Sequence, residues 1–512
     1  MTILMEPQTS NSANCNLGQD DSDWQNIASF MSDDDDAELL YFLYKGLIFP
    51  KEDNFMLRCR MTGAELNNQQ LSTLADIAEM HGAGYLDITT RANFQIRDIP
   101  FSNGITVLKK LLKLGLIPAV KGLNNLRNVT ITPTTGFDPS EFTDVRPIAH
   151  EIYQQLLYNP KLQGLPGKFN IALDSGGRIS VASTTNDIGI KAVLVDGQLY
   201  FRFTSADLRG EKTIAKDFNW LVAPENVVEV VNAIIEVYLK EGDFSKRLKS
   251  RIKFLIKQIG METFKSKVRD LLECEIIDND LIVEISHAEA DAHLGIQSQK
   301  QPELCYMGVN GAAGRYTVDQ IKLIISTANK YGNGTIRLTT FQNCLIPSIN
   351  RVNTPELTEQ IQASGLTVTS KIAGHIIACT GSAGCSFSAT ATKAHSLSLS
   401  KFLQENGEYN EPINIHFTGC SFSCAQTYIG DIGLIGMKSK GRECYNIFLG
   451  GGSESNIAAV RIWKAIPQEQ VPHYIQAILD FYNAEKQCGE NFNQFVHRFG
   501  AENFNQSVIV NG

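Results

Sequence analysis

The chain is 512 residues long, with 43% hydrophobic and 20% charged residues, which excludes a mainly disordered protein and leaves room for several domains of roughly 100–200 residues each. Its formal net charge of −9 argues against a nucleic-acid binder, which carries a basic excess. No run of about eighteen apolar residues and no basic, apolar start are present, against a membrane span and a secretory leader. Eleven cysteines, odd in number and scattered, suit a reducing compartment, so a cytoplasmic protein is expected.

Residues 1–37 are polar and acidic, ending in Asp33-Asp34-Asp35-Asp36, and are expected to form a disordered acidic leader. Then FMLRCRM reads as a strand, LSTLADIAEMHG as an amphipathic helix stopped by Gly82, and YLDITT as a strand leading into Arg91. Arg127-Asn128 follows an Asn-rich loop, and Lys168-Phe169-Asn170 opens another strand. Three such groups at strand ends suit a pocket for a small anion or for cofactor carboxylates, although each alone reads as a solvated surface charge. A helical stretch over 225–275 carries the run Lys246-Arg247-Lys249-Arg251-Lys253-Lys257, either a docking face for an acidic partner or a solvated helix face.

An internal repeat organises the chain. His81-Gly82-Ala83-Gly84 matches Tyr331-Gly332-Asn333-Gly334, Thr89-Thr90 matches Thr339-Thr340, and Asn93 matches Asn343, all at an offset of 250 (334 − 84). A second block, KFNIALDSGG…NDIGI against PINIHFTGCS…GDIGL, matches at an offset of 244 (431 − 187). The expectation is a duplicated unit, each copy a strand–helix–strand module followed by a larger mixed one.

The second copy gains two cysteine pairs, Cys379-Thr-Gly-Ser-Ala-Gly-Cys385 and Cys420-Ser-Phe-Ser-Cys424. Four thiolates converging from two Gly/Ser/Thr-lined loops suit an iron–sulfur cluster. Structural zinc, whose pairs have shorter spacings, and inert buried thiols are the competing readings. The remaining cysteines, Cys15, Cys59, Cys274, Cys305, Cys344, Cys444 and Cys488, read as small buried hydrophobes or tail residues.

The strings TTRANFQIR, LPGKFN, KSRIKFLIKQIG and GRYTVDQIKLIISTANKYGNGTIRLTTFQN, with the CTGSAGC and TGCSFSCAQTYIGDIGLIG loops, resemble the sirohaem-dependent nitrite and sulfite reductases. Within these the chain is most similar to the ferredoxin-dependent nitrite reductases. The resemblance implies an internally duplicated α+β fold: two ferredoxin-like half-domains (38–115 and 286–355) and two mixed α/β domains (116–285 and 356–512) that bind sirohaem and a [4Fe–4S] cluster. It implies cluster ligation by Cys379, Cys385, Cys420 and Cys424, with Cys424 bridging to sirohaem, and an anion site of Arg91, Arg127, Lys168 and Asn170. Arg97 is expected at a sirohaem carboxylate. The implied reaction is six-electron reduction of nitrite to ammonium by a monomer that takes electrons from ferredoxin.

Several positions depart from the family pattern: Ala92 stands where Gln is usual, Gly167 where Arg is usual, and Cys420-Ser421-Phe422 where Cys-Pro-Asn is usual. The FNIALDSGGRIS segment resembles the precorrin-3B synthases, a related group that oxygenates a porphyrin-like substrate. The length, the KSRIKFLIKQIG linker and YNIFLGGG stand closer to the reductases. A sulfite reductase and a non-enzymatic electron-transfer or assembly protein complete the alternatives.

Overall fold

The computed structural model describes residues 48–51, 54–59, 61–116, 126–162, 165, 169–207, 213–245, 249–279, 288–369 and 371–508. The expected acidic leader lies outside them. Four sheets carry the chain. The first runs Ile48–Lys51, Asn54–Arg58, Phe94–Pro100, Tyr85–Ile88 and then Arg315–Thr317, while its counterpart runs Gly295–Ser298, Leu304–Val309, Cys344–Asn350, Thr335–Leu338 and then Glu65–Asn67. Each sheet therefore borrows its fifth strand from the other copy: Tyr316 pairs with Leu86, and Leu66 pairs with Ile336.

The exchange is anchored by helix starts. Glu65–Asn67 ends in Asn67, whose Oδ1 accepts from Gln70 N at 2.9 Å while Gln70 Oε1 accepts from Asn67 N at 3.1 Å, opening the helix Asn68–Met80. Thr317 and Gln320 repeat this reciprocal cap at 3.2 and 3.0 Å, opening Val318–Tyr331. The apolar faces of both helices and both sheets merge into one hydrophobic core containing Leu74, Ile96, Ile324 and Ile346. The two half-domains are thus a single packed unit. The boundary expected at 355 falls inside the helix Thr354–Ala363, whose Leu357 and Ile361 belong to that core.

The two larger modules share a plan in which three parallel strands continue as antiparallel ones. Leu126–Ile131, Phe169–Asp174 and Ile188–Val195 lead into Gln198–Ala206, Ala215–Val222 and Ile277–Asp278. Ile376–Ala378, Ile415–Thr418 and Ile432–Ser439 lead into Arg442–Leu449 and Val460–Pro467. Ile171 pairs with Ile188 as Ile415 pairs with Ile432, so the register itself is duplicated. The helices Val227–Glu241, Ile252–Ile259 and Met261–Arg269 occupy much of the stretch expected to be helical, while the described residues 242–245, 250–251 and 270–275, Arg251 of the basic run among them, are not helical.

Backbone strain repeats at the same offsets. Left-handed φ values occur at Ala92 (+51°) and Gln342 (+64°), Asp98 (+57°) and Ser348 (+63°), Ala182 (+49°) and Gln426 (+57°), and Asp196 (+51°) and Lys440 (+48°). Such conformations are costly outside glycine. Their recurrence at 250 and 244 removes chance as the source of the repeat.

Candidate functional site

Each cysteine loop leaves the end of a parallel strand, where side chains collect outside the sheet. After Ile376–Ala378, Cys379 N donates to Phe417 O at 2.9 Å, and its Sγ accepts from Gly419 N at 3.3 Å and lies 3.5 Å from Thr392 Oγ1. Small residues are required here. A Cβ on Gly419 would collide with Ser388, one on Gly384 with the Arg97 guanidinium, and Gly381 sits at φ +74° against Thr392 N.

The Cys420 thiol senses the charge of the other three. Burial pushes the Cys420 thiol up, the Phe422 N–H opposes this, and Cys424, Cys379 and Cys385 add to the rise. Burial likewise raises Cys379 against hydrogen bonds from Thr392, Gly419 and Gly381. Four mutually repelling thiolates call for a multivalent cation at their centre. Among the described residues no three His, Cys, Asp or Glu are grouped to hold a single metal ion. Donor set and N–H groups fit a [4Fe–4S] cluster. Of the other cysteines described, Cys59, Cys305, Cys344 and Cys444 are buried, Cys274 is half-buried and Cys488 exposed; Cys15 lies outside the described residues.

The facing wall comes from the first copy. Thr90 Oγ1 donates to the carbonyl of Cys424 at 2.9 Å, tying the two halves together at a thiol-bearing residue. The adjacent Arg91 is half-buried, and its Nε is fully buried without a hydrogen-bond partner among the described residues. Burial lowers its pKa, Cys424 opposes that, and Arg251 adds to it. Asn128 Nδ2 holds the Arg91 carbonyl at 2.8 Å, while its Oδ1 accepts from Asn93 Nδ2 at 2.9 Å.

Asn170 is buried, its N donating to Asp187 Oδ2 at 2.8 Å and its Oδ1 left unpartnered. Asp187 is gripped on both oxygens by Arg251, Nε and Nη2 each at 2.6 Å. The orphaned guanidinium nitrogen of Arg91, within electrostatic range of Cys424, fits a carboxylate or a small anion, and the orphaned amide oxygen of Asn170 fits a group that donates.

Of the residues expected here, Arg91 neighbours Cys424 beside the Thr90 bond, Asn170 is connected to it through Asp187 and Arg251, and the cysteines lie on the two loops of the second copy. Arg127 lies in the strand Leu126–Ile131, but its side chain is outside the described residues, as is all of Lys168. Arg97 directs Nε to Asp87 Oδ2 at 3.3 Å and Nη2 to Gln95 Oε1 at 3.0 Å and Thr380 Oγ1 at 2.8 Å, so these donors hold the 379–385 loop. Arg251 is a correction: counted above in a docking run, it is half-buried at Asp187 and belongs to this site. Lys246 and Arg247 lie outside the described residues, while Lys249 and Lys257 are exposed.

Comparison with known proteins follows the same division. The family model described as the nitrite and sulphite reductase 4Fe-4S domain matches residues 122–276 and 374–511. The nitrite/sulfite reductase ferredoxin-like half domain matches residues 49–114 and 297–364. The chain is 31% identical to a ferredoxin–nitrite reductase of Leptolyngbya laminosa over 84% of its own length and 86% of the relative's. It is 28% identical to a chloroplastic ferredoxin–nitrite reductase of Zea mays, covering 94% and 88%. Among solved structures, Mycobacterium tuberculosis NirA superposes with a TM-score of 0.76 at 24% identity, covering 87% of this chain and 84% of that one.

Proposed function

The chain belongs to the nitrite and sulphite reductase family, and from that premise we propose that this oxidoreductase reduces nitrite to ammonium with electrons from ferredoxin, as a cytoplasmic monomer. Six electrons and eight protons convert one nitrite to ammonium and two waters. The observation that carries the reading is the two-walled site, four thiols on one side and Arg91 with Asn170 on the other, closed by the Thr90 bond to Cys424.

A [4Fe–4S] cluster on Cys379, Cys385, Cys420 and Cys424 with sirohaem beside Cys424 would supply stored electrons and an iron with an open face. The chain's own residues do the rest. Arg91 places a desolvated cation beside Cys424, where it stabilises an anion and the negative charge that develops as N–O bonds break. The family resemblance adds Arg127 and Lys168 as further cations for the same anion. Lys168 is its proton donor, since an arginine stays protonated. Arg251 fixes Asp187, and Asp187 fixes the backbone of Asn170, so a neutral amide stands at a set position next to Lys168. A neutral amide there, in place of a further cation, suits a singly charged anion such as nitrite over doubly charged sulfite.

The test is anaerobic turnover of the cofactor-loaded chain with reduced ferredoxin or a viologen dye. Nitrite-dependent oxidation of the donor with ammonium formed in a 6:1 electron ratio is expected. A preparation containing both cofactors that forms no ammonium overturns the reading.

A further inference from the structure

Beside the 379–385 loop lies a group of charges that the anion site does not use. Asp87, on Tyr85–Ile88, is buried and accepts from Arg97 Nε at 3.3 Å, Arg315 Nε at 2.9 Å and Arg315 Nη2 at 3.1 Å. Arg315 arrives on the exchanged strand from the other copy, its guanidinium 3.7 Å above the Tyr85 ring. Lys393, the second residue of the helix Thr392–Asn406, is buried, and its Nζ donates to Ala313 O. It shares its electrostatic surroundings with Asp87, Arg315, Cys379 and Arg97. Arg97 in turn donates to Thr380 and lies over Gly384.

The group holds three cations and one buried carboxylate, with the exposed Asp98 acting on Arg315 from the solvent side, against the loop bearing two of the four thiols. Buried charge without a partner is strongly unfavourable. Asp87 is shared by Arg315, Arg97 and Lys393, so one carboxylate serves three cations; Cys379, whose Sγ lies 3.5 Å from the preceding Thr392, is the further anionic group acting on Lys393.

We propose that Lys393 and Arg97 are the fixed counter-charge of the bound cluster, and that Lys393 raises the cluster's reduction potential by stabilising the added electron. This rests on the cluster assignment above. The one-electron step moves an electron from the donor onto the cluster, and Lys393 exchanges no proton or bond; it is a positioning charge. Cluster potentials respond to nearby net charge and burial. A unit charge about 10 Å from the added electron, at an effective dielectric of about 20, changes the reduction equilibrium about tenfold, or about 59 mV for one electron.

The experiment uses the full chain loaded with cluster. Iron and sulfide content and the visible spectrum first establish whether the wild type assembles the cluster; failure there sinks the cluster assignment itself. A redox titration followed by electron paramagnetic resonance then compares Lys393→Met, Lys393→Arg and Arg97→Gln. At a fixed potential the reduced-to-oxidised ratio is expected to fall about tenfold in Lys393→Met, to fall in Arg97→Gln, and to stay at the wild-type value in Lys393→Arg. An unmoved midpoint in loaded Lys393→Met overturns the proposal. So does a folded Lys393→Met and Arg97→Gln pair that both fail to load, because the two cations would then be scaffold.

Discussion

Two of the contacts between the halves are copies of one another, and only one of the two was made into a site. Where Thr90 donates to the carbonyl of Cys424 at 2.9 Å, Thr340 donates to that of Ser180 at 3.4 Å. The second contact is the first one displaced by 250 on one side and 244 on the other. Cys379 Sγ accepts from Gly419 N as Thr132 Oγ1 accepts from Ser175 N at 2.9 Å, and Ala389 N donates to Gly419 O as Phe142 N donates to Ser175 O. The register then puts Asp138 in the place of Cys385, Gly176 in that of Cys420 and Ser180 in that of Cys424. A protein-only plug occupies this position: fully buried Asp138 accepts from Thr134 Oγ1, Ser140 N and Arg178 N and pairs with Arg178 Nε. Across from it, Phe341 replaces Arg91, stacks on His293 at 4.2 Å and joins Phe137, Ile179 and Tyr306. Duplication made two equal interfaces. One was closed with its own side chains, while the other kept thiols, a buried cation and orphaned polar atoms.

Breaking the open interface should have the largest effect. Cys424→Ser replaces a soft thiolate with a hydroxyl at the residue joined to the facing wall, so cluster iron and nitrite turnover are both expected to fall below detection. The chain should nevertheless fold, because the Thr90 bond uses the main-chain carbonyl of residue 424. Retention of full iron content with normal turnover would remove the residue from the site. Breaking the plug should act on stability instead. Asp138→Asn removes the buried carboxylate of Arg178, leaving only the half-exposed Glu289 at 3.9 Å, and is expected to cost about 3 kcal/mol, read by denaturant unfolding, with the cluster spectrum unchanged. A cluster lost together with the plug would mean that the two interfaces are not independent.

The cysteine wall could be read from the sequence, because two close cysteine pairs after short apolar runs have few alternatives. The repeat showed itself through Gly82, Gly84 and the paired threonines, residues whose backbone or hydroxyl roles tolerate little substitution. The strand exchange could not be read. Glu65–Asn67 and Arg315–Thr317 are three residues each, too short to show a period of two, and each pairs with the other copy. Arg251 was hidden by its neighbours: within a basic run it reads as surface, and its partner Asp187 is 64 residues away. Lys393 carries no local signal, since its surroundings at Asp87 and Ala313 exist only in the folded chain.

The smallest difference between the copies tests the comparison on one pair of matched residues. Asp187 and Asp431 hold the same backbone group, Asn170 N at 2.8 Å and Asn414 N at 2.9 Å. Asp187 has Arg251 on both oxygens, whereas the Asp431 carboxylate accepts from the side-chain amides of Asn414 and Asn493. Burial, only partly opposed by those bonds, pushes the Asp431 carboxyl up to about 6. A carboxyl raised in the folded chain binds its proton more tightly there than in the unfolded chain. Its contribution to stability is therefore fully present below about pH 4, the range of an unfolded aspartate, and is lost as pH rises through about 6. Asp431→Asn removes that dependence at the price of one acceptor. Its stability relative to wild type should rise by about 2 kcal/mol between pH 4 and pH 7 and level off above. Asp187→Asn should instead destabilise the chain by stripping Arg251 of its partner. Parallel unfolding curves for Asp431→Asn and wild type across that range would show that Asp431 is as well compensated as its twin.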